Sequence, residues 1–261
     1  MTDQVLDVSV EDGLAVLTLN RPGAMNALNL DLKRALAEWL SHARYDPAVR
    51  AVLLTGNGRA FCAGGDLKEM DPRRTPREAM LRQDELLRTV FMPLARLPVP
   101  VVAAINGHAH GGGLTLALAC DIVLAAEGVP MSLGFVQRGL APDCAALHFL
   151  PRLVGTARTK ELVMTARGFA AEEALDMGLI AGVAPASELQ DRARELAGGL
   201  ARGATIALGL TKSLVDQSWT ATFEEFAELE SYSQAVSRST RDHQEGVEAF
   251  LEKRSPAFTG A

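Results

Sequence analysis

Residues 99–119 read Val-Pro-Val-Val-Ala-Ala-Ile-Asn-Gly-His-Ala-His-Gly-Gly-Gly-Leu-Thr-Leu-Ala-Leu-Ala. This stretch predicts an apolar strand over Val99–Ile105, a glycine-rich corner at His110–Gly113 and a helix over Leu114–Ala119. A strand followed by a glycine-punctuated loop also occurs earlier, over Arg50–Asp66. A unit of strand, glycine loop and helix that occurs twice predicts an α/β core whose loops at the strand ends hold a site.

The elements around these two units support the same fold class. The chain opens with a predicted β-hairpin, Val5–Val10 and Leu14–Leu19, and Asn29 is a good cap for the helix that follows. A polar helix is predicted over Thr75–Ala95, where Asp84 and Glu85 could cover the pocket but are expected mainly to face solvent. Two further strands are predicted over Asp121–Ala125 and Met131–Phe135.

Beyond residue 155 the pattern becomes helical. Helices are predicted over Thr156–Ala166, Ala171–Met177, Ser187–Ala201, Ala204–Gln217, Phe223–Ser237 and Asp242–Lys253. Asp242 and Glu245 have the spacing of a capping box for the last of them. No linker rich in Pro or Ser precedes this region, so we predict an α/β core over residues 1–195 and a packed helical extension over residues 196–261.

Composition and charge exclude several classes of protein. The 261 residues are 48% apolar and 22% charged, which excludes a disordered or fibrous chain. A net charge of −6 argues against nucleic acid or an anionic membrane as a partner. Residues 97–120 carry no Asp, Glu, Lys or Arg, but Pro98, Pro100 and three glycines interrupt them, so we interpret them as buried interior. The first residues do not have the pattern of a secretory signal, and a cytoplasmic location is expected.

The common chemical motifs give no match. The sequence has no G-x-x-x-x-G-K-[ST], G-x-S-x-G, H-E-x-x-H or C-x-x-C, and Gly56-Asn-Gly58 does not continue as a dinucleotide fingerprint. Cys62, Cys120 and Cys144 are odd in number and far apart, so neither disulfides nor a zinc site is predicted. The two glycine-rich loops remain, and two such loops facing one another can aim two backbone N–H groups at a single oxygen.

Five segments, in this order, resemble the crotonase, or enoyl-CoA hydratase/isomerase, superfamily. They are Arg21–Leu28, Gly58–Leu67, Ile105–Gly113 with Ala119–Ile122, Gly139–Asp143 with Leu150–Gly155, and Glu245–Arg254. The resemblance implies a crotonase-type α/β spiral of ββα repeats, followed by a C-terminal helical trimerisation region. It also implies an acyl-CoA substrate, a homotrimer or a dimer of trimers, and no cofactor or metal apart from the coenzyme A of the substrate.

The resemblance also assigns roles to individual residues. The N–H groups of Ala63 and Gly112 fall at the positions that form the family's oxyanion hole, which holds the thioester oxygen. The residues implied in CoA binding are Met25, Ala27, Ala63, Gly65, Asp66 and Leu67, with Phe250 and Lys253 reaching in from a neighbouring subunit. From the residues alone, Asp66 is expected mainly to cap the short helix that follows it.

The acidic residues decide which reaction the resemblance implies. Thr115 and Phe135 stand where the hydratases of the family carry two glutamates, whereas Asp143 stands where double-bond isomerases carry a carboxylate. One base is sufficient to move a proton from one carbon to another. Burial would raise the pKa of Asp143 and a nearby cation would lower it. Ala145 and Ala146 replace the pair of glycines usual after this acid, which puts the identity of the acyl group in question.

Several alternatives stay open at this point. The leading hypothesis is double-bond isomerisation of an enoyl-CoA with Asp143 as the proton shuttle. The alternatives are hydration of a 2-enoyl-CoA by a single acid, the more distant thioester hydrolysis or dehalogenation, and an acyl-CoA binder without efficient chemistry. His108, His110 and His148 are expected to hydrogen-bond the backbone, and Cys62 and Cys144 to be small filler beside the site.

Overall fold

A computed structural model describes residues 4–69, 71 and 73–261 and contains two β-sheets with helices packed around them. The strands are β1 (Leu6–Glu11), β2 (Leu14–Leu19), β3 (Ala51–Gly56), β4 (Ala60–Cys62), β5 (Val101–Ile105), β6 (His108–His110), β7 (Ile122–Ala126), β8 (Met131–Ser132), β9 (Gly168–Phe169) and β10 (Gly182–Ala184). The helices are α1 (Leu30–Ala43), α2 (Pro76–Leu86), α3 (Met92–Ala95), α4 (Gly112–Leu118), α5 (Ala146–Thr165), α6 (Ala171–Asp176), α7 (Leu189–Ala201), α8 (Thr205–Gln217), α9 (Phe223–Arg238) and α10 (Arg241–Glu252).

The order of the strands explains how the chain builds a spiral. The larger sheet has the order β1-β2-β3-β5-β7-β10 and the smaller sheet the order β4-β6-β8-β9. Strands β3, β5 and β7 pair in parallel, and each is followed along the chain by one short strand of the smaller sheet and then by a helix. This is a repeated ββα unit, so the predicted crotonase-type α/β spiral is confirmed.

Small side chains allow the layers to approach closely. Strands β3 and β5 are buried along their whole length, and α7 packs on the larger sheet through a face that contains Ala193, Ala197 and Ala201. A Cβ atom on Gly107, between β5 and β6, would lie 2.1 Å from the carbonyl oxygen of Arg59, so only glycine fits there.

Among the described residues, no helix is both long and apolar enough to cross a bilayer.

Local signals in the sequence placed several elements correctly. The predicted hairpin forms, with Leu6 opposite Leu19 in antiparallel register. Asn29 caps α1 by accepting a hydrogen bond from the backbone N–H of Leu32 at 3.0 Å. The strand predicted over Met131–Phe135 is wrong beyond Ser132, because the chain there turns into a short helical turn at residues 136–138.

The helix predicted over Thr156–Ala166 forms as the second part of α5. A kink at Gly155, with φ +72° and ψ 167°, separates it from a helical segment that begins at Ala146 and that the sequence did not predict. The predicted capping box of the last helix is wrong. Thr240 caps α10, while the buried carboxylate of Asp242 accepts hydrogen bonds from the backbone N–H groups of Thr259 and Gly260.

The last helices leave apolar surface uncovered. Neither α8 nor α9 contains a buried residue, although both carry large apolar side chains. The exposed apolar side chains of α8 to α10 and the turn after α8 are Val215, Trp219, Phe223, Tyr232, Val236, Val247, Phe250 and Leu251. An exposed apolar surface of this kind is typical of a protein–protein interface.

Candidate active site

The glycine corner between β6 and α4 leaves backbone N–H groups available. Gly111 adopts φ +50° and ψ −123°, a conformation that L side chains rarely adopt. The first helical hydrogen bond of α4 runs from Thr115 N–H to the carbonyl of Gly111, at 3.0 Å. The N–H of Gly112 precedes that bond and therefore has no acceptor within its own helix. It is a donor suited to an external oxygen.

The loop after β4 meets this corner directly. Gly64 has φ +91°, and a Cβ there would lie 2.8 Å from the carbonyl oxygen of His110 and 3.3 Å from the nitrogen of Gly112. The two glycine loops therefore lie against each other. The N–H of Ala63 donates a hydrogen bond to the carbonyl of Met25, at 3.0 Å. Of the two predicted oxyanion donors, Ala63 thus already has an acceptor.

The Met25 carbonyl, which accepts the N–H of Ala63, belongs to a turn that buried hydrogen bonds hold in place. Met25 and Asn26 both have positive φ, +51° and +53°, which is unusual for residues with side chains. Asn26 is fully buried, and its side chain donates to the carbonyls of Asn57 and Ala60, at 3.0 and 2.7 Å. The Met25 carbonyl is therefore fixed beside the N–H of Ala63.

Asp143 begins a second corner at the same site. Cys144 and Ala145 follow it with φ +56° and +64°, after which α5 begins. The corner touches the glycine corner, because the Cys144 Sγ atom lies 2.9 Å from where a Cβ on Gly112 would be. The structure therefore brings the carboxylate-bearing corner against the residue that carries the available N–H.

The environment of Asp143 makes its carboxylate a stronger base than a free one. Burial raises the pKa of the carboxyl above its usual value, and the Cys144 thiol and the positive charge of Lys33 only partly oppose the rise. The pKa of the Cys144 thiol is also raised, by burial and by the carboxylate of Asp143. Burial likewise raises the pKa of the Cys62 thiol, to about 12, so both cysteines stay protonated at neutral pH.

Neither of the two positions where hydratases of the family carry a glutamate holds an acid in this chain. Thr115 is fully buried, and its hydroxyl donates to the carbonyl of Gly111 at 3.1 Å. The Phe135 ring lies against Gly111, with its Cζ atom 3.7 Å from where a Cβ would be. Neither residue can therefore supply a carboxylate at this corner.

The predicted CoA-binding residues of the first loops lie together. Leu28 and Gly65 form a parallel β-bridge, which brings the segment of Met25 and Ala27 beside the loop of Ala63, Gly65, Asp66 and Leu67. Asp66 forms an ion pair with Arg21 at 3.1 Å and accepts the N–H of Lys68, also at 3.1 Å. The expected capping role of Asp66 is therefore confirmed. Leu67 is exposed.

Phe250 and Lys253 lie at the far end of the chain. Both are exposed, at and just after the end of α10, and Phe250 is 83% exposed. Lys253 ends the helix with φ +57°. The described residues of this one chain leave both side chains on the surface, so their role toward a neighbouring subunit remains a prediction.

The histidines near the glycine corner form a chain of side-chain contacts. Nδ1 of His108 lies 3.2 Å from Nε2 of His110, whose Nδ1 lies 2.9 Å from the Ser132 hydroxyl. The expectation of backbone partners is therefore wrong for this pair. Burial lowers the pKa of His110, and the neighbouring His108 and Arg138 lower it further.

Sequence reasoning missed three features of the site. Gln83 of α2 has a buried side-chain nitrogen beside Cys144, and Lys33 of α1 contributes positive charge at Asp143. An open cleft of about 590 Å³ also lies beside the Asp66–Leu67 loop. Its lining is Leu30, Lys68, Glu69, Asp71, Arg73, Arg74 and Arg82. No motif marks these residues, because they converge from separate elements.

The fold defines the class of protein first. The structure superposes on a solved enoyl-CoA hydratase from Bacillus anthracis with a TM-score of 0.93 and 35% identity, over 99% of this chain and 100% of that one. The protein is therefore a crotonase-type α/β enzyme, which is the class that its sequence motifs resemble.

The chain belongs to the enoyl-CoA hydratase/isomerase family, whose model matches residues 9–261. The 1,2-epoxyphenylacetyl-CoA isomerase of Escherichia coli is 40% identical to it over 253 residues, covering 96% of this chain and 97% of that protein. A short-chain-enoyl-CoA hydratase of Clostridium acetobutylicum is 36% identical over 246 residues, covering 94% and 93%. Isomerases and hydratases both occur among its relatives.

Proposed function

We propose that this enzyme moves a carbon–carbon double bond in an enoyl-CoA thioester, with Asp143 as the proton shuttle. The thioester oxygen accepts the N–H of Gly112. The Asp143 carboxylate removes a proton from the carbon between the thioester and the double bond, which leaves a dienolate with its charge on that oxygen. The same group returns the proton to the far end of the former double bond, so no atom is gained or lost.

The oxyanion contacts lower the free energy of the dienolate. One preorganised backbone donor contributes about 3–4 kcal/mol to transition-state stabilisation. We propose Ala63 as the second donor. Because its N–H already donates to the Met25 carbonyl, the thioester oxygen would share that N–H, and Gly112 would be the stronger donor.

One observation carries the isomerase proposal: the corner that begins with the half-buried Asp143 packs on Gly112 through Cys144, while the two glutamate positions hold Thr115 and Phe135. Burial raises the pKa of Asp143, which brings it nearer to the pH at which a base works best. A hydratase of this family needs a group that activates water and a group that delivers a proton. A 1,3-shift needs one carboxylate.

The carrier part of the substrate is proposed to be coenzyme A. The loop of Ala63, Gly65, Asp66 and Leu67, with Met25 and Ala27, would hold it. The nearby cleft carries Lys68, Arg73, Arg74 and Arg82, whose charges suit phosphate groups.

We also propose that the enzyme is a homotrimer or a dimer of trimers. The uncovered apolar surface of α8 to α10 supports this, since burying it in an interface would remove it from water. Phe250 and Lys253, exposed at the end of α10, would then reach the CoA of a neighbouring subunit.

Hydration of a 2-enoyl-CoA is the second candidate. It is favoured by relatives that are hydratases, such as the protein of Clostridium acetobutylicum. With Asp143 as the only acid at the two corners, such an enzyme would be slow.

One experiment separates these candidates. The protein is incubated with 2-enoyl-CoA and with 3-enoyl-CoA in heavy water, and the masses of the products are measured by mass spectrometry. Isomerisation with deuterium entry supports the proposal if the Asp143→Asn variant loses it. The control variant Asp191→Asn, altered at an exposed position, should keep it. Gain of one water would identify a hydratase, and binding without any change would identify an acyl-CoA binder.

A further inference from the structure

Strand β6 places two histidine side chains on one face of the smaller sheet. His108 and His110 are two residues apart, and successive side chains of a strand point to opposite faces of its sheet. Ala109, between them, is fully buried on the other face, whereas both histidines are half-buried. The proposed reaction uses neither histidine. The pair therefore offers two imidazoles that are still within reach of solvent.

The spacing of the two rings suits a single metal ion. Nδ1 of His108 lies 3.2 Å from Nε2 of His110, and the ring planes are inclined by 51°. A metal ion that binds imidazole nitrogens at about 2.0–2.1 Å holds two of them about 2.9 Å apart at a right angle and about 3.4 Å apart at the tetrahedral angle. The observed separation lies between these values. Small rotations of the rings would therefore let both nitrogens bind one cation.

The neighbouring strands hold this pair in place. Nδ1 of His110 lies 2.9 Å from the hydroxyl of Ser132, the residue opposite His110 on β8. A hydrogen bond at one ring nitrogen orients the ring and leaves the other nitrogen as the ligand, which is the usual arrangement in metal-binding histidines. Strand β6 also pairs with β4 on its other side, so its backbone is fixed from both sides. Little reorganisation is then needed when an ion binds.

The chemistry of the ligands narrows the class of ion. Imidazole binds Cu²⁺, Ni²⁺ and Zn²⁺, whereas Mg²⁺ and Ca²⁺ prefer oxygen ligands. In the part of the chain that the structure describes, no group of three or more His, Cys, Asp or Glu side chains could hold a metal, so water would complete the coordination. Arg138 brings positive charge near His110, which works against any cation there. Only ions with a high affinity for imidazole fit these conditions.

We propose that His108 and His110 form a two-histidine site for a divalent transition-metal ion, which binds Cu²⁺ more tightly than Ni²⁺ or Zn²⁺. A bound ion would link two residues of the strand that leads directly into Gly111, and so would hold the entry to the glycine corner. The inference does not depend on which reaction the enzyme catalyses.

Calorimetric titration of the full chain, prepared without an affinity tag, with the chlorides of Cu²⁺, Ni²⁺, Zn²⁺ and Mg²⁺ tests the site. We expect Cu²⁺ to bind most tightly and Mg²⁺ not to bind. Loss of an outer-shell partner already weakens metal binding by about ten-fold or more, so His108→Gln and His110→Gln should each weaken Cu²⁺ binding at least that much. The control His42→Gln, altered at an exposed histidine of α1, should keep the affinity.

Electron paramagnetic resonance of the unaltered protein loaded with Cu²⁺ gives a readout that needs no substitution. The spectrum should show two coordinated imidazole nitrogens. A spectrum with fewer than two would overturn the inference, as would Cu²⁺ binding that keeps its affinity in the double variant His108→Gln, His110→Gln. Equal weakening in the His42→Gln control would also overturn it, because the affinity would then not belong to this pair.

Discussion

The candidate active site contains two corners, Gly111–Gly113 and Asp143–Ala145, and each leads into a helix. Different constraints fix the backbone of the two corners. In the first, lack of space excludes side chains: a Cβ on Gly113 would lie 2.1 Å from the carbonyl oxygen of Cys62. In the second, Cys144 and Ala145 carry side chains at positive φ, where such residues are strained. Close packing thus fixes the donor, and a strained turn fixes the base.

Gly113→Ala should break the first corner and have the largest effect on stability. The new methyl group would overlap buried backbone, which cannot move aside as a side chain can. We expect a loss of about 3 kcal/mol in the free energy of unfolding, measured by urea denaturation. The control is Gly199→Ala in α7, where a Cβ would meet no neighbouring atom within 4 Å. This variant should gain about 0.5–1 kcal/mol in the free energy of unfolding. Equal stability of the two variants would contradict the packing argument.

Gly112→Ala should reveal the contact between the two corners. Its methyl group would lie 2.9 Å from the Cys144 Sγ atom, a side-chain atom that can shift. We expect a loss of about 1–2 kcal/mol in the unfolding free energy. In a Cys144→Ala background the loss should be smaller by about 1 kcal/mol. Strict additivity in this double-mutant cycle would mean that the corners are not coupled.

Ala145→Gly should relieve the strain of the second corner. Glycine adopts φ +64° without the penalty that alanine carries, so stability should rise by about 1 kcal/mol. The neighbouring change Ala146→Gly is the opposite case, because Ala146 is buried at the start of α5. That variant should lose about 1–2 kcal/mol. If thermal unfolding moved both variants in the same direction, strain at Ala145 would not be the cause.

The smallest expected effect is a pH dependence of stability caused by Asp143. Its pKa is raised in the folded state, so the folded protein binds the proton more tightly than the unfolded chain. The stabilisation is complete below the usual pKa of 3.8 and is lost as the pH rises through the higher folded value. Relative to Asp143→Asn, the unaltered protein should therefore lose melting temperature as the pH rises above about 4. A melting temperature that rises with pH relative to that of Asp143→Asn would contradict this sign.

The fold was largely predictable because its signals are local. The hairpin, the Asn29 cap and the apolar strands before each glycine loop depend on neighbouring residues, and the structure contains all of them. Strands β4 and β6 were predicted as loops, since three residues are too few to show alternation. The segment of α5 before Gly155 was missed because it contains Pro151, whereas Gly155 does interrupt the helix, as its φ of +72° shows.

The site was predictable only in part. The glycine loops and Asp143 follow from motifs, and the structure brings them together. The engagement of the Ala63 N–H by Met25 depends on two residues at positive φ, which no sequence pattern indicated. Gln83 and Lys33 belong to separate helices, so only the folded chain reveals that they lower the pKa values of Cys144 and Asp143, respectively.

The central claim is that one carboxylate carries the proton between two carbons. A 3-enoyl-CoA labelled with deuterium on the carbon between the thioester and the double bond is converted, and the 2-enoyl product is examined for deuterium on the far carbon. We predict that label is transferred by the unaltered protein and that Asp143→Asn lowers the rate by about 10² or more. Equal rates of transfer in the two proteins would contradict the claim.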